Sequence, residues 1–230
     1  MKAIVLLSGG LDSATLLRIV QERGYEVYAL TFYYGQKHSI EIDAAKTICQ
    51  KYGINNHCIA NIDIGAIGGS ALTDNSLKVK KDGVINSFDE RKENIPLSYV
   101  PARNTIFLSY ALGYGEVVSA SKIFIGINAI DYSGYPDCRP QYLEKFNAMA
   151  RVATAASVKG ELTIEVEAPL LNMSKAQIIA EGIRLGLDYK DTISCYDPDE
   201  NGSACGKCDA CTLRLQGFKA NNMRDGATYR

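Results

Sequence analysis

MKAIVLLSGGLDSATLL, residues 1–17, is the stretch that decides the fold. Ala3 to Leu7 form an unbroken apolar run, and Lys2 to Leu7 reads as a strand buried on both faces, as strands of a parallel sheet are. Ser8-Gly9-Gly10 interrupts that run, and from Ser13 to Arg23 the pattern is helical until Gly24 stops it. A strand feeding a helix through two glycines brings unpaired helix N–H groups and a partial positive charge to the strand's carboxyl end, where anions bind. Gly9 and Gly10 carry no Cβ, so their backbone can approach phosphate oxygens closely, and Ser8 and Ser13 add hydroxyl donors. No Gly-Lys-Ser/Thr follows, which excludes a Walker A loop, and no G-x-G-x-x-G follows, which leaves a dinucleotide fold unsupported.

Outward from this motif, strand and helix alternate. Glu26–Phe32 reads as a second strand, 40–51 as a helix stopped by Gly53, and His57–Ile62 as a third strand. This spacing implies right-handed crossovers and a parallel sheet. Residues 65–101 are polar and mixed, with an Asp82-Gly83 pair suited to a small hairpin, and read as a long loop or lid. A helix over Arg103–Glu116, a strand over Lys122–Ile127, a turn-rich loop over Asp131–Pro140, a helix over Gln141–Val158 and a last strand over Leu162–Val166 follow. Ser174 and Gln177 form a capping box for a helix to Leu185, and a short helix closes the chain.

The 230 residues suffice for one sizeable core, or one domain with a small appendage. A net charge of -1 removes the global electrostatic case for nucleic-acid binding. No apolar stretch approaches the roughly 20 residues of a membrane span. The N-terminal apolar run lacks a signal-peptide pattern, so a cytosolic protein is expected.

Of seven cysteines, four crowd together as Cys195-x9-Cys205-x2-Cys208-x2-Cys211. Two C-x-x-C steps let successive sulfurs converge on one ion, and a longer loop returns the fourth. Four thiolates saturate a tetrahedral zinc ion and leave no open position, the pattern of a structural site. An iron–sulfur cluster is the rival occupant. Cys49 and Cys58 read as small core residues.

Ser8-Gly9-Gly10-Leu11-Asp12-Ser13 resembles the SGGxDS signature of the pyrophosphate-loop ATPases. That resemblance implies cleavage of ATP between its α and β phosphates and adenylation of a carbonyl oxygen, with Asp12 helping to place magnesium. Further segments narrow it: Phe32-Tyr33-Tyr34-Gly35-Gln36-Lys37-His38, Gly69-Ser70-Ala71-Leu72-Thr73-Asp74, Val100-Pro101-Ala102-Arg103-Asn104, and the run from Gly126 through Asp131-Tyr132-Ser133-Gly134-Tyr135-Pro136-Asp137-Cys138-Arg139-Pro140. With the four cysteines, these resemble the 7-cyano-7-deazaguanine synthase family from Leu6 to about Leu215. Lys37 departs from the arginine more usual there, keeping the charge and losing the planar fork.

The resemblance implies an α/β fold with a Rossmann-like parallel sheet of the adenine nucleotide alpha hydrolase type. Residues 1–190 would form the catalytic domain and 191–230 a zinc-binding subdomain. It implies conversion of 7-carboxy-7-deazaguanine, ammonia and ATP to 7-cyano-7-deazaguanine, on the route to queuosine, by a cytoplasmic homodimer that binds neither nucleic acid nor membrane. ATP would contact Leu7, Ser8, Gly9, Gly10, Leu11, Asp12, Ser13, Ala14, Thr15, Leu16 and Leu17. Asp12, Lys175 and Arg103 would be catalytic. Asp131, Tyr132, Tyr135, Asp137 and Arg139 would bind the base, carboxylates accepting from its N–H groups and a tyrosine stacking on it. Cys195, Cys205, Cys208 and Cys211 would hold zinc, and magnesium would accompany ATP. His38 admits an ATP-binding or a structural role, and His57 reads as structural.

Three rivals share part of the pattern. A transfer-RNA thiolase or amidase shares SGGxDS but calls for a basic face or RNA-binding appendage. The synthetase subunit of an amidotransferase would lack the four-cysteine site. A zinc-stapled nucleotide-binding module would bind ATP without releasing pyrophosphate.

Overall fold

The computed structural model describes residues 1–36, 40–74, 76–77, 95–128 and 134–230. Five parallel strands form one sheet in the order β3-β2-β1-β4-β5: β1 Lys2–Leu6, β2 Glu26–Tyr33, β3 Asn56–Asn61, β4 Lys122–Phe124 and β5 Glu165–Glu167. Seven α-helices are named in chain order: α1 Leu11–Glu22, α2 Ile40–Lys51, α3 Arg103–Val118, α4 Pro140–Ala153, α5 Ala155–Val158, α6 Lys175–Arg184 and α7 Asp209–Ala220.

Strand geometry sends successive side chains to opposite faces, and β1 follows this residue by residue. Ala3, Val5 and Leu7 enter one core with α1, α2, α6 and Phe218 of α7, while Ile4 and Leu6 enter the other with α3 and α4. The sheet is thus covered on both sides, which is why its central strand is apolar from Ala3 onward. β1 lies between β2 and β4, so the chain order reverses beside it, and a crevice opens there at the carboxyl ends of the strands.

Helix α1 begins at Leu11, two residues earlier than the periodicity alone suggested. Gly10 is its extended N-cap (φ -82°, ψ 169°), which places Asp12 and Ser13 in the first turn. Strand β4 ends at Phe124 rather than Ile127, and β5 starts at Glu165 rather than Leu162. The helix expected over Gln141–Val158 breaks at Thr154, whose extended backbone (φ -119°, ψ 153°) and side-chain oxygen, accepting from Ser157 N–H, start α5 afresh. The capping box of α6 is present with both reciprocal bonds between Ser174 and Gln177. In the 65–101 segment a 3-10 turn spans Gly65–Ile67, and Ala71 N–H reaches back to Leu97 O at 2.8 Å. The Asp82-Gly83 pair lies outside the described residues. No helix among the described residues is long and apolar enough to cross a membrane.

Candidate active site

The loop after β1 is held in shape before any ligand arrives. Ser8 N–H donates to Ser13 Oγ (3.2 Å), the two serine hydroxyls lie 3.0 Å apart, and Ser13 Oγ donates to Gly10 O (3.1 Å). From the other side, Ile193 N–H donates to Gly9 O at 2.9 Å and Leu11 N–H donates to Ser194 Oγ at 3.3 Å. The C-terminal segment therefore clasps the loop. Gly9 has φ +84°, and a Cβ there would overlap the carbonyl oxygen of Glu41 in α2. Glycine at this position serves the close approach of the α2 backbone as well as the turn.

Asp12 stands at the mouth of α1. Lys175 Nζ, on the first residue of α6, lies 2.7 and 2.6 Å from its two oxygens, and Asn128 Nδ2 donates to it at 3.1 Å. The pair is only partly exposed, 15% for the lysine side chain and 24% for the aspartate. A lysine on a helix N-terminus would otherwise oppose the helix dipole, and the facing carboxylate offsets that cost.

A cavity of about 300 Å³ runs from this pair across the carboxyl ends of β1, β2 and β4 to the start of α3. Phe32 and Phe107 stack at 4.0 Å on that side, with Tyr34 edge-on to Phe107. Arg103 lies over the Tyr34 ring at 5.9 Å. Burial works against the Arg103 charge, but Tyr34, Cys138, Tyr135 and Asp137 more than offset it, and its pKa is raised. Arg103 follows Ala102, which holds a left-handed backbone (φ 54°), a strain of the kind that collects at functional sites. Tyr135 Oη and Ser98 Oγ lie 2.9 Å apart, and the Tyr135 ring stacks with Tyr99. Asp137 is buried and accepts Asn104 N–H at 3.0 Å, while Asn104 Nδ2 donates to Asp137 O and Cys138 Sγ.

Starting at the residue after the clasp, Cys195, the four C-terminal sulfurs lie within 4.8 Å of one another, all buried. Cys205 N–H and Asp197 N–H donate to Cys195 Sγ (3.2 and 3.3 Å), and Cys208 N–H donates to Cys205 Sγ (3.4 Å). Backbone N–H groups aimed at sulfur suit thiolates rather than thiols. Hydrogen bonds from Cys195 and Cys211 lower the pKa of Cys208, and the same contacts raise those of Cys195 and Cys211. Four convergent sulfurs, with no fifth ligand grouped with them among the described residues, fit a closed tetrahedral site.

The family model for QueC, queuosine biosynthesis protein QueC, matches residues 2–222. The chain belongs to the QueC family. It is 55% identical over 229 residues to a 7-cyano-7-deazaguanine synthase of Kineococcus radiotolerans, covering 99% of this chain and 97% of that protein. It is 53% identical over 228 residues to the synthase of Desulfatibacillum aliphaticivorans, covering 99% and 96%. Among solved structures, NMN synthetase from Francisella tularensis shares the fold with a TM-score of 0.51 at 16% identity, over 97% of this chain and 78% of that one.

For this QueC member the structure brings Leu7, Ser8, Gly10, Leu11, Asp12 and Ser13 to the cavity with Lys175, Arg103, Tyr135 and Asp137. It does not bring all the residues expected there. Ala14, Thr15, Leu16 and Leu17 have no exposed surface and pack in the core, because the second turn of α1 has already left the crevice. Gly9 is set back against α2 rather than lining the cavity. Arg139 is the N-cap residue of α4 and lies off the cavity lining. Asp131, Tyr132 and His38 lie outside the described residues. His57 is structural, its Nε2 2.8 Å from Thr31 Oγ1 with burial lowering its pKa. Cys49 is buried in one core, and the half-buried Cys58 packs against the other.

Residue reading missed Glu41, Asn104, Ser194 and Arg214, all of which line the cavity. Glu41 is one of two acids in the first turn of α2, and Arg214 lies on the short helix α7. Neither gives a local signal, since each reaches the site only through tertiary packing.

Proposed function

We propose that this cavity joins ammonia to 7-carboxy-7-deazaguanine in two ATP-dependent activations, through an acyl adenylate and then an adenylated amide, to give the nitrile. The chain is a 7-cyano-7-deazaguanine synthase, an ATP-dependent ligase of queuosine biosynthesis. A carboxylate is a poor electrophile, and transfer of AMP to its oxygen supplies a leaving group. The observation that carries the reading is the meeting of Lys175 and Asp12 at the N-terminus of α1. That junction offers backbone N–H groups, an ammonium and a carboxylate in one place, the donor set a magnesium-bound triphosphate needs.

In this reading Ser8, Gly10, Ser13 and the first turn of α1 bind the pyrophosphate portion, and Lys175 releases Asp12 to turn to the phosphates. Asp12 would hold magnesium, which would neutralise phosphate charge when bound. Arg103 balances the carboxylate or adenylate at the far end. Tyr135 and Asp137 face the base, with Asp131 and Tyr132 completing its recognition. Cys195, Cys205, Cys208 and Cys211 would hold a structural zinc ion within a subdomain of residues 191–230 that clasps the nucleotide loop, apart from the catalytic domain of residues 1–190. The substrates are small molecules, neither nucleic acid nor membrane is bound, and the site of action is the cytoplasm. The working unit in this reading is a homodimer.

The test is a mass-spectrometric assay of purified protein with Mg-ATP, ammonium and 7-carboxy-7-deazaguanine. Nitrile with AMP and pyrophosphate is expected. AMP without nitrile would point to another acid, and no substrate-dependent turnover by folded, zinc-loaded protein would overturn the reading.

A further inference from the structure

Nitrile formation makes an unusual demand on the protein. Every N–H proton of the incoming ammonia must leave. In the first stage the nitrogen lone pair forms a C–N bond to the adenylated carbonyl carbon, the C–O bond breaks with its electron pair departing on AMP, and one proton leaves nitrogen. In the second the amide oxygen displaces pyrophosphate from a second ATP and a second proton leaves nitrogen. The third departs as the remaining C–O bond breaks and the triple bond closes. Each departure calls for an acceptor at the reacting carbon that can return the proton to solvent before the next.

Three carboxylates among the described residues line the cavity: Asp12, Glu41 and Asp137. Asp12 is committed to Lys175 on both oxygens and to Asn128. Asp137 is tied to Asn104 N–H. Glu41 accepts no hydrogen bond from any described residue, and Arg103 and Tyr34 act on it only through space. Its position is fixed all the same. It sits in the first turn of α2, and its own carbonyl oxygen abuts Gly9, so the side chain is built on the wall of the nucleotide loop.

We propose that Glu41 is the proton acceptor for the nitrogen in both stages, a role that rests on the synthase reading above. It lines the cavity within range of the Arg103 charge, the end where the adenylate is placed, and without a hydrogen-bond partner among the described residues it keeps a lone pair for the proton. Burial raises its carboxyl to about 7 against the opposing pull of Arg103, which matches it to accepting and releasing a proton near neutrality. The first-turn position alone would favour the ionised form, so burial is the stronger influence here.

The experiment compares Glu41→Gln and Glu41→Asp with the wild type in two assays, thermal melting confirming that each is folded. Adenylation, read as 7-carboxy-7-deazaguanine-dependent exchange of pyrophosphate into ATP, removes no proton from nitrogen. It should stay within about threefold of wild type in both variants. Nitrile formation should fall on the order of 10²- to 10⁴-fold in Glu41→Gln and less in Glu41→Asp. The acid limb of the wild-type nitrile rate, near pH 7, should be missing from the Gln variant's residual activity. Nitrile formation within threefold of wild type in Glu41→Gln, or exchange and nitrile falling together, would overturn the assignment. Wild-type protein without exchange would instead sink the substrate reading, and Glu41's role with it.

Discussion

Arg214 and Asp225 form a two-point ion pair, Nε to Oδ2 at 2.6 Å and Nη2 to Oδ1 at 2.9 Å, with side chains 4% and 2% exposed. The same guanidinium donates to Tyr189 O, Thr192 O and Thr192 Oγ1, so it fixes the backbone that leads directly into Ile193 and Ser194. Those two residues bond the nucleotide loop. A buried pair stripped of one partner leaves an uncompensated charge, a loss of about 3–5 kcal/mol. Arg214→Ala or Asp225→Asn should therefore lower unfolding free energy by about that amount in urea titrations. Arg214→Lys should recover little, since an ammonium cannot reproduce the fork.

The pair also has a pH signature. Burial pushes the Asp225 carboxyl up, but the hydrogen bonds and charge of Arg214 more than offset it, and its pKa lies below the usual aspartate value. A depressed carboxylate stabilises the fold above its unfolded pKa, and that contribution disappears as pH falls through the folded one. Stability against acid, followed by circular dichroism, should fall through that window in the wild type. In Asp225→Asn the component should be absent.

Lys175→Met should leave Asn128 as the remaining partner of Asp12 among the described residues and remove the cation from the phosphate site. Pyrophosphate exchange should fall about 10²- to 10³-fold, the loss typical of one preorganised electrostatic contact. Melting temperature should change little, because the pair it breaks is partly solvated. Unchanged exchange would remove Lys175 from the chemistry.

How much of this was legible beforehand depended on whether the signal was local. β1, the two glycines and α1 announce themselves within 17 residues, because an apolar run, a turn and a helical period are neighbours in sequence. The cysteine spacing is equally local, and its sulfurs do converge. Strands β4 and β5 differ from the expectation at their ends, since they are short and flanked by apolar residues, such as Ile125 and Ile164, that are as buried as strand residues but lie past the strand ends, Ile125 with a last N–H bond to Glu167 O. Thr154, which splits a helix otherwise continuous in pattern, carries a cap signal that the apolar period conceals. Glu41 and Arg214 were illegible for a different reason. Their roles arise from α2 meeting Gly9 and α7 meeting the 189–194 strap, contacts that chain order does not encode.

Gly9→Ala tests the α2 contact. The new methyl would collide with Glu41 O, and the backbone there has φ +84°. Strain at a positive-φ glycine alone costs more than about 1 kcal/mol, and backbone cannot yield as a flexible side chain does. The variant should melt lower and lose pyrophosphate exchange together. Gly24→Ala is the control, with φ +78° and nothing within 4 Å of the added methyl, and it should lose stability while keeping exchange.

The four-cysteine site should prove to be coupled to nucleotide binding rather than a remote staple. Cys195 directly follows Ser194, whose hydroxyl accepts Leu11 N–H at the entrance of α1, and Cys211 lies on the same helix as Arg214. Metal that fixes the sulfurs therefore fixes both ends of the strap. Metal analysis of protein purified without added metal should give about one zinc per chain, as a closed four-thiolate site requires. Iron with a visible absorption band would assign a cluster instead. Cys208→Ser should lose the metal, lower the melting temperature and weaken ATP binding by calorimetry. Wild-type protein stripped by a strong chelator should do the same, and zinc should restore ATP affinity to the stripped protein and not to Cys208→Ser. Stripped protein that binds ATP as tightly as before would show that the clasp on Gly9 and Leu11 holds without its metal.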